Sequence, residues 1–197
     1  MKGFSCYSLL VMVTLTTFSF AQDTIRTYKT KMRNDIPNGV SFSNNGKYIA
    51  TGVFGAVRIW DTETGSHKDY KTKHRNETPK FVKFSPDDNY ITAGVFGAVR
   101  VWKVSTGDFR DYKINIRNIT PNFSCFSPDG KYVAAGVNGA VRVWNLKSGV
   151  FLDYPTRYRN RTPNFVEFSK NGQYIAAGIF GEVRVWKLYY PTQAKAE

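Results

Sequence analysis

A step of 42 residues runs through this chain without a break, and it limits the fold more than any other feature. The step links Trp60, Trp102, Trp144 and Trp186. It also links Phe42, Phe84, Phe126 and Phe168, then Tyr48, Tyr90, Tyr132 and Tyr174, and likewise Gly55, Gly97, Gly139 and Gly181. Pro37, Pro79, Pro121 and Pro163 keep the same register, and nothing is inserted or deleted between Tyr28 and Trp186. A fixed period of this size marks a repeat architecture, in which each unit buries its apolar face on its neighbours.

One repeat reads as four short strands. KFVKFS (80–85) is apolar and bounded by Pro79 and Pro86; PDDN is a turn; YITAGV (90–95) is a second strand. Phe96-Gly97 connects it to AVRVWK (98–103), which alternates and is rich in β-branched residues. VSTG is a further turn, and DFRDYKIN (108–115) is a fourth strand leading into the loop IRNITP. No stretch of the repeat has helical periodicity. The pattern predicts an all-β chain, a β-propeller of four-stranded antiparallel blades. The phrase GVFGAVRIW (52–60) and its copies form the hairpin of the second and third strands. Repeat three writes its turn as Asn138-Gly139, the pairing that suits a turn with positive φ at both central residues. Phe54, Phe96 and Phe180 stand at the first of those positions elsewhere, where a left-handed conformation is unfavourable.

FSPDGKYVAAGVNGAVRVWNLKSG (126–149) and its copies, FSNNGKYIATGVFGAVRIWDTETG (42–65) among them, resemble the WD-repeat β-propeller family over nearly all of residues 22–190. The resemblance implies a propeller whose face binds other proteins. Three departures accompany it. Arg-Asn, as at Arg75-Asn76, replaces the Gly-His before the first strand. The Asp of the second hairpin is missing and that turn is one residue shorter. The strand hydroxyl survives only as Thr51, with Ala93, Ala135 and Ala177 elsewhere, so the family's Trp-Ser-His-Asp hydrogen-bond network cannot form.

The chain's two ends bear on ring closure. TIRTYKTK (24–31) aligns with a fourth strand, and the last repeat stops after its third, EVRVWKL (182–188). Together they make one blade, so the count is four blades per chain. Two arrangements satisfy it: one chain closing on itself, or a homodimer forming an eight-bladed ring in which each N-terminal strand completes the other chain's last blade. Closure matters because an open sheet edge invites pairing with other chains.

Residues 1–21 read as a secretory signal peptide: Lys2, the apolar run YSLLVMVTLTTFSF (7–20), and small residues at Ser19 and Ala21. The run is short for a membrane span, which takes about 20 apolar residues, so no span is expected. The expected organisation is a signal peptide at 1–21, a propeller at 22–190 and a short tail at 191–197, with a secreted or periplasmic location. Cys6 leaves with the signal, so Cys125 has no partner and reads as a tolerated small residue.

Arg58, Arg100 and Arg142 invite an anion-site reading. Counting back through the four-residue turn, however, places them opposite Asp69, Asp111 and Asp153, and such cross-strand pairs stabilise a sheet by roughly 0.2–1 kcal/mol. Arg184 would face Thr27 and so be uncompensated. The loops before each first strand are better candidates. They repeat Arg33-Asn34, Arg75-Asn76, Arg117-Asn118 and Arg159-Asn160, on the face that carries Phe54, Phe96 and Phe180. Arginine forks and asparagine amides suit carboxylates, phosphates and sugar hydroxyls, and an exposed aromatic can stack on a sugar. The competing reading is that Arg-Asn stabilises the turn and the Phe tips pack on neighbouring loops. The Asn-x-Thr triplets at 76, 118 and 160 fall in the same loop, where their registration points to turn chemistry.

A net charge of +13 favours acidic partners. Only two histidines are present, with no phosphate loop, serine elbow or metal-spaced cluster, so neither catalysis, a metal nor a cofactor is expected. Two functions remain. One is a secreted, non-enzymatic module that binds a protein; the other is a multivalent lectin-like or polyanion-binding protein. No specific nucleic-acid recognition is expected.

Overall fold

Alternation within AVRVWK and its copies decides how the blades stack. In the computed structural model, which describes residues 27–30, 36–73, 76–114 and 119–190, Val99 and Val101 turn to one face of their strand, and Ala98, Arg100 and Trp102 to the other. The first blade comprises β1 (Asn38–Phe42), β2 (Tyr48–Val53), β3 (Ala56–Asp61) and β4 (His67–Lys71). The second comprises β5 (Lys80–Phe84), β6 (Tyr90–Val95), β7 (Ala98–Lys103) and β8 (Phe109–Lys113). The third comprises β9 (Ser124–Phe126), β10 (Tyr132–Val137), β11 (Ala140–Asn145) and β12 (Phe151–Pro155). The fourth comprises β13 (Phe165–Phe168), β14 (Tyr174–Ile179) and β15 (Glu182–Lys187). Each is an antiparallel meander in chain order, the first three four-stranded and the last three-stranded. The chain is therefore an all-β propeller array of four blades.

Three seams form the core. Ala50, Val57, Ile59 and Tyr70 of blade one meet Val82, Phe84, Ile91, Ala93 and Trp102 of blade two. Equivalent sets join blades two and three, and blades three and four. Trp102, Trp144, Val99 and Val141 are almost fully enclosed, and burying each such side chain contributes about 1.5–3 kcal/mol. The glycine of each Ala-Gly-Val or Thr-Gly-Val has a steric reason. A Cβ at Gly52, Gly94 or Gly136 would lie 2.0, 2.0 or 2.3 Å from the carbonyl oxygen of Pro79, Pro121 or Pro163 in the following blade.

Fourth-strand tyrosines fasten each seam. Tyr70 donates its hydroxyl hydrogen to the Val104 carbonyl, Tyr112 to Leu146 at 2.8 Å and Tyr154 to Tyr189 at 2.8 Å. Tyr112 also lies 6.3 Å from the Trp144 ring, and Tyr154 lies 6.4 Å from Trp186.

Among the described residues, 27–30 carry no strand pairing and β15 pairs only with β14, so no fourth strand joins blade four there and both arrangements of the ring stay open. One expectation is corrected. The hairpin turns have positive φ only at Gly55 (78°), Gly97 (75°), Gly139 (76°) and Gly181 (79°). Phe54, Phe96, Asn138 and Phe180 are not left-handed, because a two-residue turn with its positive φ at the second central residue leaves the first open to any side chain. The signal peptide at 1–21 and the tail at 191–197 lie outside the described residues.

Candidate functional site

Hairpin tips and the loops between blades are bound into one surface. The Gly55 amide donates to the Glu77 carbonyl at 2.7 Å, Gly97 to Ile119 at 2.9 Å and Gly139 to Arg161 at 2.9 Å. In return the carbonyls of Gly55, Gly97 and Gly139 accept from the amides of Thr72, Ile114 and Thr156, at 2.8, 3.1 and 2.8 Å. Each turn glycine is thus clasped by the loop that follows its own blade. A Cβ at Gly139 would meet the Arg159 carbonyl oxygen at 2.7 Å, so the clasp of repeat three also needs glycine on steric grounds, whereas a Cβ at Gly97 would meet nothing within 4 Å.

The clasp places Phe54 and Phe96 on the face that carries Asn76, Arg159 and Asn160, and Phe180, at the hairpin tip of repeat four, joins them through Tyr158 and Arg161. The three phenylalanines, Asn76, Arg159 and Asn160 are all exposed. Arg33, Asn34, Arg75, Arg117 and Asn118 lie outside the described residues. The tips are not alike. Phe180 is 70% exposed, yet its ring has Tyr158 edge-on at 6.1 Å and the Arg161 guanidinium at 5.1 Å. Phe54 and Phe96 are 44% and 49% exposed, and the Phe96 amide donates to the Glu77 carboxylate of the preceding loop. At the same end, Phe81, Phe123 and Phe165 meet ring to ring across three blades, at centroid distances of 5.3, 5.5 and 6.0 Å. Gly39 holds the fourth equivalent position, where an added Cβ would lie 3.0 Å from the Phe81 Cα. That cluster was not anticipated, although its own 42-residue spacing announces it.

Arginines inside the blades are structural. Arg58 donates through Nε and Nη2 to Asp69 at 2.5 and 2.7 Å, Arg100 to Asp111 at 2.5 and 2.8 Å, and Arg142 to Asp153 at 2.6 and 2.7 Å. The forks also lie against tryptophan: the Arg100 guanidinium is 5.6 Å from the Trp102 ring and 3.9 Å from Phe109. A cation between two rings gains from both quadrupoles. The buried Trp102 indole nitrogen makes no hydrogen bond. Arg184 is not uncompensated: it donates to Glu182 at 2.6 Å. Repeat four has glutamate where the others have Ala56, Ala98 and Ala140, and two residues along a strand return to the same face.

On the opposite face, two clefts of about 610 and 1000 Å³ lie between blades one and two and between blades two and three. Equivalent residues line them: Tyr48, Ile59, Lys68 and Tyr70 in one, and Tyr90, Val101, Arg110 and Tyr112 in the other. Their recurrence marks them as products of blade stacking, and Arg110 is already engaged by the carbonyls of Leu146, Lys147 and Ser148. Burial pushes the Cys125 thiol up to about 12, and it donates to the Val166 carbonyl at 3.1 Å. Such a thiol is not a nucleophile at neutral pH. No group of three or more His, Cys, Asp or Glu able to hold a metal occurs among the described residues, and no helix there is long and apolar enough to cross a membrane.

Four stacked antiparallel blades with this repeat define a WD-repeat-like β-propeller. Residues 22–61 and 117–145 match the family model of the WD domain, G-beta repeat. WD-repeat propellers are protein-interaction modules and are generally not enzymes. No curated protein matches the sequence.

Proposed function

We propose that the chain is an exported, non-enzymatic scaffold that binds a protein partner on the face formed by the hairpin tips and the inter-blade loops. The observation that carries this reading is the aromatic character of the tips. With positive φ confined to the glycines, the turn itself asks for no aromatic, and repeat three makes it with Asn138. Phenylalanine at the other three tips leaves large apolar surface 44–70% exposed, on the face that carries the exposed Arg159 and Asn160. Aromatic and arginine side chains are the residue types that anchor protein interfaces. Export rests on residues 1–21.

The test is cross-linking of the protein in the extracytoplasmic fraction of its own host, comparing wild type with the triple variant Phe54→Asn, Phe96→Asn, Phe180→Asn. A cross-linked protein partner that disappears in the variant, at unchanged melting temperature, is the expected result. A partner retained by the variant sinks the proposal. Salt-resistant binding of purified protein to neutral glycans, also lost in the variant, would transfer the site to the lectin-like reading. Binding to polyanions only at low salt would reflect net charge.

A further inference from the structure

Blades one and four each leave bare a face that every internal seam covers. Val40 and Phe42 are 59% and 63% exposed, whereas Val82 and Phe84, one repeat later, are 1% and 9% exposed against blade one. Val183 and Val185 are 75% and 63% exposed, whereas Val99 and Val101 are 0% and 6% exposed against blade three. The two bare faces are the two halves of one seam. Each continues the interface already made three times along the chain, and the same packing repeated through four blades has not brought blade four round to blade one.

We propose that a second copy of this chain closes the array. The leading face of blade one in each copy docks on the trailing face of blade four in the other. Residues 27–30 of each copy lie along the outer edge of the other's β15, giving one eight-bladed ring. Three further observations fit a blade absent from the single chain. Tyr28 packs on Trp60 at 5.6 Å and donates to the Thr62 carbonyl at 3.3 Å, the contacts Tyr112 makes with Trp144 and Leu146. Tyr28 therefore occupies the outer-strand position of a blade preceding blade one. Gly178 is the fourth glycine of its series, yet an added Cβ there would meet nothing within 4 Å. Its three equivalents are held to glycine by the proline carbonyl of the next blade, and Pro37 of a second copy would supply that carbonyl. Finally, the strand arriving at β15 would place Thr27 opposite Arg184, by the register that pairs Arg58 with Asp69. Glu182 supplies from β15 itself the carboxylate that this strand lacks.

A ring of four blades, closed by the chain's own N-terminal segment, is the competing geometry, and one experiment separates them. The register that pairs Ala56 with Lys71 places Glu182 opposite Lys29. The variant Lys29→Cys, Glu182→Cys, in a background with Cys6→Ser and Cys125→Ser, is oxidised and run on a non-reducing gel. In parallel, wild type and Val185→Asp are weighed by size-exclusion chromatography with light scattering. Val185 is exposed in the single chain, so this variant should fold, which circular dichroism checks. A two-chain mass that halves in Val185→Asp, with a disulfide joining two chains, is expected. A wild-type monomer at micromolar concentration, a disulfide formed within one chain, or a wild-type mass above two chains would each overturn the proposal.

Discussion

Val99 and Val183 hold the same place in two copies of one repeat, yet the first is sealed from solvent and the second is 75% exposed. The same contrast separates Gly94 from Gly178, and the enclosed Arg100–Asp111 pair from the partly exposed Arg184–Glu182 pair. Local sequence makes all four strand hairpins alike. The energetics of each position come from the next blade, and blade four has none among the described residues. Stability in a solenoid-like array is a sum of repeat and interface terms, so the last repeat should respond to mutation as a unit missing one interface.

The largest difference is expected at the glycines. Gly94→Ala drives a methyl group to 2.0 Å from the Pro121 carbonyl oxygen, which is backbone and cannot swing aside. It should lower unfolding free energy by roughly 3 kcal/mol, the upper part of the overpacking range. Gly178→Ala meets nothing in the single chain, so under dilute, monomeric conditions urea denaturation should show almost no change. If it proves as damaging as Gly94→Ala in a demonstrably monomeric sample, a contact internal to one chain covers blade four, and the contrast drawn here is wrong.

The ion pairs come next. The Arg100 side chain is 3% exposed and its acid partner 18%. Asp111→Ala leaves a guanidinium enclosed without its carboxylate, and a loss of about 2–3 kcal/mol is expected in urea denaturation. At the last repeat Arg184 and Glu182 are 27% and 32% exposed, so Glu182→Ala should change stability by no more than about 1 kcal/mol. Equal losses would show that Arg184 sits in a drier setting than its exposure indicates.

These two contrasts also mark what could be read without coordinates. The strands of repeat two fall within a residue or two of where alternation and turn residues put them, and Arg58, Arg100 and Arg142 face the expected aspartates. Periodicity of 2 and a fixed turn length carry that information locally. The partner of Arg184 was missed because one substitution, alanine to Glu182, supplies an acid from the same strand instead of across the sheet. The Phe81–Phe123–Phe165 cluster, the loop clasp and the role of Gly94 depend on how blades approach one another, which no local pattern states. At the candidate site, the clasp and the packing of Phe180 on the preceding loop bring the tips of Phe54, Phe96 and Phe180 onto one face with Asn76, Arg159 and Asn160. Spacing alone could group them but not show that Phe180 rests on Tyr158 and Arg161.

The smallest effect concerns the tyrosines that fasten the seams. Burial raises the phenols of Tyr70, Tyr112 and Tyr154 above their ordinary 10.0, since the anion loses its hydration, although Arg110 partly offsets this at Tyr112. The neutral hydroxyl is also the species that donates to the next blade's carbonyl. In the unfolded chain these phenols ionise near pH 10; in the folded chain they resist ionisation. A raised folded value contributes stability that is present below the unfolded pKa and is lost as pH climbs through the folded one. The melting temperature should therefore fall progressively from about pH 10 upward. Tyr112→Phe should cost about 1 kcal/mol at neutral pH through the lost hydrogen bond, and should flatten the alkaline decline. Melting curves across the alkaline range read both effects. A variant that matches wild type at neutral pH and declines just as steeply above it would mean that the seam is held by apolar packing alone. The difference between closed and open faces would then be entirely a matter of Val99 against Val183.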